Sequence, residues 1–157
     1  MVRLENVGVV FPKGVTGLHP TSVGFARGKF TVLLGSSGAG KSTLLRCLNH
    51  LTRPSAGTVK VEDVGELRDG RALHEHRKRT GMIFQQHQLI GRQTAFTNVL
   101  LGRIGYHGAW RTLFPLPRAE RRIALECLDR VGLLPKALER VDRLSGGQQQ
   151  RVGIARA

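Results

Sequence analysis

The chain is poor in acidic residues and in aromatic side chains. It has 157 residues with 11 Asp and Glu against 25 Lys and Arg, so its formal net charge at pH 7 is +14. Aromatic residues make up 5%, and the basic residues are scattered from Arg3 to Arg156, so the aromatic platform that single-strand binders use for stacking is missing. We therefore expect a solvated basic surface rather than a nucleic-acid site, although the charge leaves a protein that acts on nucleic acid open as an alternative.

Cysteine and long apolar runs are also scarce. Cys47 and Cys127 each lie in a leucine-rich helical pattern without C-x-x-C or metal spacing, which indicates buried thiols in a reducing compartment. Residues 1–11 contain no apolar signal core, and no run approaches the roughly 18 residues of a membrane span. The sequence therefore predicts a cytoplasmic protein, or one held at a membrane by a partner.

A glycine-rich segment, GSSGAGKST at residues 35–43, matches the phosphate-binding pattern G-x-x-x-x-G-K-[ST]. Its glycines let the backbone approach an anion, and the N–H groups of the loop and of the following helix can bind phosphate oxygens. Lys41 is expected to contact the β- and γ-phosphates and Ser42 to bind Mg²⁺, while Thr43 could reach the α-phosphate. The predicted nucleotide contacts are Gly35, Ser36, Ser37, Gly38, Ala39, Gly40, Lys41, Ser42 and Thr43.

The surroundings of this segment favour a nucleotide site over a flexible linker. Residues 30–34 form an apolar, β-favouring run that predicts a buried parallel strand, and leucines at helical spacing follow the segment. Residues 2–10 suggest an edge strand, and residues 81–84 a further buried strand. Strands that alternate with helices predict an α/β fold with a partly parallel sheet.

A second motif, LSGGQQQR, lies at residues 144–151, where Ser145 is expected to cap a helix. With MIFQQ at 82–86 and the full run LSGGQQQRVGIARA at 144–157, the chain resembles the ATP-binding subunits of ABC transporters from its first residues to its last. Three stretches are similar to phosphonate importers in particular: residues 42–51, residues 98–116 and the QQQR form of the second motif. Polar amino-acid importers share much of this pattern and remain an alternative.

The resemblance implies a fold and a division of the chain. The fold would be an α/β P-loop NTPase core of the ABC ATPase type, with an N-terminal antiparallel β part and a helical subdomain that carries the second motif. Residues 1–157 would form one nucleotide-binding domain whose last core part is missing. Within it, residues 1–84 would be the β and phosphate-loop core, 85–147 the Q-loop and helical subdomain, and 148–157 the start of the return helix to the core.

The resemblance also assigns site residues beyond the phosphate loop. Phe11 matches the aromatic position that stacks on adenine, although an ordinary core phenylalanine is the alternative. Gln85 matches the glutamine that helps bind Mg²⁺ and positions the attacking water; Gln86 is the alternative register. Four residues of the second motif would bind ATP held by another subunit of a head-to-tail homodimer: Ser145, Gly146, Gly147 and Gln148.

Partners and location follow from the same resemblance. Membrane permease subunits would dock on residues 91–116, where Trp110, Leu113 and Phe114 offer apolar contacts or belong to the core. A periplasmic binding protein would take part indirectly, and the subunit would lie at the cytoplasmic face of the inner membrane as a peripheral protein. Thr97 stands where the family often has an acidic residue, so that local contact is not expected here.

One part of the family pattern has no match in this chain. The family continues from the second motif into an apolar strand that ends in Asp-Glu, and later has a histidine that senses the γ-phosphate. No internal aspartate replaces them, because none follows an apolar strand: Asp63, Asp69, Asp129 and Asp142. We therefore expect an ATPase by family that binds nucleotide weakly and hydrolyses little on its own, or a non-catalytic nucleotide-binding truncation.

Overall fold

The computed structural model describes residues 1–68, 70–85, 88–108, 110 and 114–157. The chain divides into two compact units, Met1–Arg79 and Thr80–Ala157. The division expected from the sequence, into residues 1–84, 85–147 and 148–157, is a division by function and stays a prediction. Among the described helices, none is both long and apolar enough to cross a membrane.

The first unit is built on a four-stranded sheet. Its strands are β1 (Val2–Val10), β2 (Thr16–Phe25), β3 (Ala56–Val61) and β4 (Gly65–Glu66), in the spatial order β2-β1-β3-β4. All the pairs are antiparallel. The expectation that residues 2–10 form an edge strand is wrong, because β1 pairs with β2 on one side and with β3 on the other.

Two helices complete this unit. Helix α1 (Lys41–Leu48) follows the phosphate loop, and helix α2 (Gly70–Lys78) follows the sheet. The inward face of the sheet and the apolar face of α1 share one core of buried side chains, whose members are Leu4, Val7, Val9, Leu18, Leu44, Cys47, Val59 and Leu67. Burial of apolar surface between a sheet face and a helix is what holds the start of α1 beside the sheet.

The expected buried strands at 30–34 and 81–84 are wrong. Neither segment is a strand, and neither pairs with any strand in the described part of the chain. Phe30 is 93% exposed and Leu34 89% exposed. A buried parallel strand needs a hydrogen-bonded neighbour on each side, and the described residues supply none to these two segments. Leu33 alone of residues 30–34 packs against the core of the first unit.

The second unit is helical. The helices with described bounds in this unit are α3 (Ala95–Leu101), α4 (Arg118–Arg130) and α5 (Gly146–Arg156), and short 3-10 turns lie at Ile104–Tyr106, Leu134–Lys136 and Val141–Arg143. As the sequence predicts, α4 ends before Gly132, whose φ of 68° is left-handed, and α5 begins just after Ser145. The helices enclose a separate core formed by Ala95, Val99, Ala124, Leu128, Leu133, Ala137, Val141, Leu144 and Val152.

A buried amide fixes the chain that enters α3. The Asn98 side chain is fully buried, and its Oδ1 accepts a hydrogen bond from the Ile90 N–H at 2.8 Å. Its Nδ2 donates to the carbonyls of Ile90 at 3.1 Å and Thr94 at 3.0 Å. With these bonds made, the amide is stable in the core and closes the loop before the helix.

Candidate nucleotide-binding site

The phosphate loop wraps the N-terminus of α1 as the sequence predicts. Gly38 and Gly40 have φ values of 81° and 82°, a left-handed conformation that glycine adopts without cost. Gly40 is the residue before the helix, and its carbonyl accepts from the Leu44 N–H at 2.8 Å. A side chain at Gly40 would also come within 3.0 Å of the Gly17 carbonyl. The loop therefore needs glycine here for conformation and for space.

The loop borders a polar cavity of about 310 Å³. The cavity is open to solvent and is lined by residues 37–43 of the loop together with Thr16 and Gly17 of β2. The start of α1, with Lys41, Ser42 and Thr43, forms part of its wall. N–H groups at the start of a helix attract anions, so the cavity suits a phosphate chain.

Lys41 is held over the loop. Its ammonium donates to the carbonyl oxygens of Gly35 and Ser36, each at 2.7 Å. These bonds keep the positive charge on the inner curve of the loop, next to the cavity. An ammonium in this place can neutralise phosphate oxygens as a point charge.

Phe11 lies against the same part of β2. A Cβ at Gly17 would come within 2.2 Å of the Phe11 ring, so the ring covers the backbone of Gly17, which lines the cavity. Phe11 is 39% exposed, so it is not an ordinary core phenylalanine. Thr16 and Gly17 were missed in the sequence; a glycine inside a strand signals the close approach of another group, and the Phe11 ring is that group here.

The residues around the second motif form a well-ordered helix start. The Ser145 Oγ accepts from the Gln148 N–H at 3.4 Å, and the Gln148 Oε1 accepts from the Ser145 N–H at 3.0 Å, which makes a capping box. Gly146 and Gly147 are exposed, and no atom lies near the place of a Cβ on either. Gln149 carries no signal in the sequence beyond its place in the motif, and its Nε2 donates to the carbonyls of Val141 and Leu144 at 3.1 and 3.0 Å.

Gln85, Trp110 and Phe114 lie in the second unit as well, and Gln85 is exposed in a turn. Three other residues named from the sequence lie outside the described residues: Asp69, Gln86 and Leu113. Trp110 and Phe114 are 83% and 66% exposed, so neither is a core residue in this unit. The phosphate loop belongs to the first unit and the Gln85 and Ser145 loops to the second.

The basic run at 74–79 supports the phosphate-loop helix from its other end. His76 is buried, and its Nε2 lies 2.9 Å from the Leu48 carbonyl oxygen. The Arg77 guanidinium donates to the carbonyls of Asn49 at 3.3 Å and His50 at 3.0 Å. These donors satisfy carbonyls at the C-terminus of α1, where positive groups are favourable. Burial lowers the pKa of His76, because it disfavours the charged form.

The described residues fit a nucleotide with Mg²⁺. The loop supplies backbone donors, Lys41 supplies the charge, and the Ser42 hydroxyl can give one protein oxygen to Mg²⁺, an ion that keeps several waters and binds substrate phosphates. In the described part of the chain, no three His, Cys, Asp or Glu residues cluster as a dedicated metal site would require.

Similarity to known proteins extends along the chain. The family model described as "ABC transporter" matches residues 18–157. The chain is 64% identical over its whole length to the phosphonates import ATP-binding protein PhnC 3 of Nostoc sp., of which it covers 60%. It is also 64% identical to the phosphite import ATP-binding protein PxtA of Stutzerimonas stutzeri, of which it covers 57%.

A solved structure matches the fold. It is a dimer of the ATP-binding cassette MJ0796 in a post-hydrolysis state with ADP and Pi, with a TM-score of 0.84 and 36% identity. The match covers 99% of this chain and 68% of that one. The present chain thus spans about 60% of the length of the curated relatives it matches.

Proposed function

The chain belongs to the ABC transporter family of ATP-binding proteins, and on that premise we propose that it is the ATP-binding subunit of an importer for phosphonates or related phosphorus oxyanions. The observation that carries the proposal is the 64% identity to importer subunits for phosphonates and for phosphite across all 157 residues. The phosphate loop, with its glycine conformations and Lys41 beside the cavity, supports nucleotide binding independently.

In the proposed complex, the residues of the first unit hold the nucleotide. The loop N–H groups bind the phosphates, and Lys41 exchanges its bonds to the Gly35 and Ser36 carbonyls for bonds to the β- and γ-phosphates. The Ser42 hydroxyl would hold Mg²⁺, which would supply positive charge against the phosphates, while Thr43 would contact the α-phosphate. Phe11 stacks on the adenine.

The second motif serves a partner subunit in this proposal. Ser145, Gly146, Gly147 and Gln148 would bind the γ-phosphate of ATP on the other copy of a head-to-tail homodimer. The N-terminus of α5 supports this role, because Gly146 and Gly147 are exposed and no atom lies near the place of a Cβ on either. The matched ATP-binding cassette structures are themselves dimeric. Each copy would then contribute to two composite sites.

Hydrolysis would need groups beyond these. Gln85 would orient the attacking water and help bind Mg²⁺. These 157 residues contain no apolar strand that ends in Asp-Glu, so they lack the carboxylate that polarises the water in this family. We propose that this stretch binds ATP and associates in response, and that it hydrolyses ATP negligibly by itself.

Membrane permease subunits would be the direct partners, at the cytoplasmic face of the inner membrane, with a periplasmic binding protein acting through them. The exposure of Trp110 and Phe114 supports an apolar docking contact on residues 91–116. A role on nucleic acid is less well supported, because His76 and Arg77 of the densest basic run are engaged at the end of α1.

Co-purification can test the importer class. The chain would be co-expressed with the permease of a phosphonate importer and, as a matched control, with the permease of a polar amino-acid importer. We expect stable co-purification with the first permease only, and we expect Trp110→Ser with Phe114→Ser to reduce it. Binding to the amino-acid permease alone would assign the chain to the other importer class.

A further inference from the structure

Gln149 connects the first turn of α5 to the segment that precedes it. Its Nε2 donates to the carbonyls of Val141 and Leu144 at 3.1 and 3.0 Å. Val141 is 2% exposed and Leu144 5% exposed, and both belong to the core of the second unit. The Gln149 amide therefore anchors the start of α5 to two residues that are packed in the core of the second unit.

The residues between these anchors have no packing of their own. Ser145 follows Leu144 directly, and Gly146 and Gly147 are exposed, with open space where a Cβ would lie. The capping box joins Ser145 only to Gln148, within the same turn. It fixes the local shape of the turn but not the direction in which the turn faces.

We propose that Gln149 is a positioning residue, which aims the Ser145 hydroxyl and the N–H groups of Gly146 and Gly147 at an oxyanion on a second copy of this chain. The inference rests on the proposed function of the Ser145 loop. Because the glycines carry no side chains to restrain them, the tie from Gln149 to the Leu144 carbonyl sets their direction. Gln149 itself does not touch the nucleotide.

Both Gln149 contacts use the side chain as a donor, and this gives the test its design. Gln149→Glu removes the donors and sets carboxylate oxygens against two carbonyls. Gln149→Lys keeps a donor that can reach them. Gln150 is the next residue, is exposed and lies on the same helix, so Gln150→Glu and Gln150→Lys are controls with the same change of charge.

The experiment measures two quantities on the purified chain. Affinity for a fluorescent ATP analogue reports the chain's own phosphate loop, and ATP-dependent self-association by sedimentation reports the Ser145 loop. We expect Gln149→Glu to weaken self-association about tenfold or more relative to Gln150→Glu, because it removes one or both neutral hydrogen bonds of the Gln149 amide. Nucleotide affinity should change less than about twofold, and Gln149→Lys should restore self-association to the level of Gln150→Lys.

Three outcomes would overturn the inference. Equal self-association of Gln149→Glu and Gln150→Glu would show that the tie has no part in positioning. A parallel loss of nucleotide affinity, or a lack of rescue by Gln149→Lys, would show general destabilisation instead. If Gln149→Glu does not fold, Gln149→Met is the second variant and the same criteria apply to it. ATP binding without any self-association of the unsubstituted chain would instead reject the proposed in-trans function, and failure to bind ATP would reject the proposed nucleotide site.

Discussion

The buried imidazole of His76 places its Nε2 atom 2.9 Å from the carbonyl oxygen of Leu48, at the C-terminus of the helix that begins in the phosphate loop. Burial lowers the pKa of His76, and burial together with the charges of Arg77 and Arg53 lowers the pKa of His50. In the unfolded chain, both histidines have a pKa of about 6.5. The fold therefore holds them in the neutral form more strongly than the unfolded chain does.

The stability of the first unit should consequently fall in acid. At a pH above about 6.5, both histidines are neutral in the folded and in the unfolded chain. As the pH falls below that value, the unfolded chain takes up protons first, so the free energy of unfolding decreases. The decrease ends once the pH has passed the lower pKa values of the folded state. His76→Gln should flatten this dependence, whereas His74→Gln, at an exposed position, should not. Urea unfolding between neutral pH and pH 5 measures it. Equal slopes for the two variants would contradict this explanation.

In the second unit, the Glu120 carboxylate joins two elements. It accepts from the Arg103 Nε at 2.6 Å, and the His107 Nε2 lies 3.2 Å from its other oxygen. The hydrogen bond from Arg103 is the main reason why the pKa of Glu120 is lowered. Its side chain is 13% exposed and that of Arg103 26% exposed, so the pair is only partly screened by water.

Glu120→Gln should therefore cost about 1–3 kcal/mol of unfolding free energy, since it leaves the partly buried Arg103 guanidinium without its counter-charge. Glu126 is the matched control on the same helix. Its pair with Arg122 is exposed and four residues apart, so Glu126→Gln should cost about 0.3–0.5 kcal/mol. Denaturant unfolding with a probe in the second unit measures both. Equal costs for the two substitutions would contradict this ranking.

The site was easier to predict from the sequence than the sheet. The phosphate loop, the Ser145 cap and the end of α4 depend on glycine conformation and on contacts within one turn, so the local sequence determines them. The expected strands at 30–34 and 81–84 depend on partners elsewhere in the chain, which an apolar run does not reveal. The contacts of His76 and Gln149 could not be predicted for the same reason. His76 contacts the carbonyl of Leu48, which is distant in the sequence, and Gln149 donates to the carbonyl of Val141, which lies before the start of α5.

The exposed apolar run at 30–34 predicts self-association through this segment. Phe30 is 93% exposed, and an exposed run of β-favouring apolar residues promotes aggregation. Phe30→Lys should raise the protein concentration at which light scattering appears. Val15→Lys adds the same charge at an apolar residue that is 60% exposed and lies between two strands, and it should have a smaller effect. If both variants shift the threshold equally, net charge rather than this segment governs aggregation.

Lys41 and the loop around it are proposed to bind the phosphates of ATP. The most direct measurement is calorimetric titration of the chain with Mg-ATP, compared between Lys41→Met and Lys136→Met, a lysine of the second unit that is paired with Glu139. Loss of a charge-assisted contact to phosphate should weaken binding by about 1.5–3 kcal/mol, or roughly ten- to hundredfold, in Lys41→Met. Lys136→Met should bind as the unsubstituted chain does. Equal affinities for all three proteins would contradict the assignment of this loop as the nucleotide site.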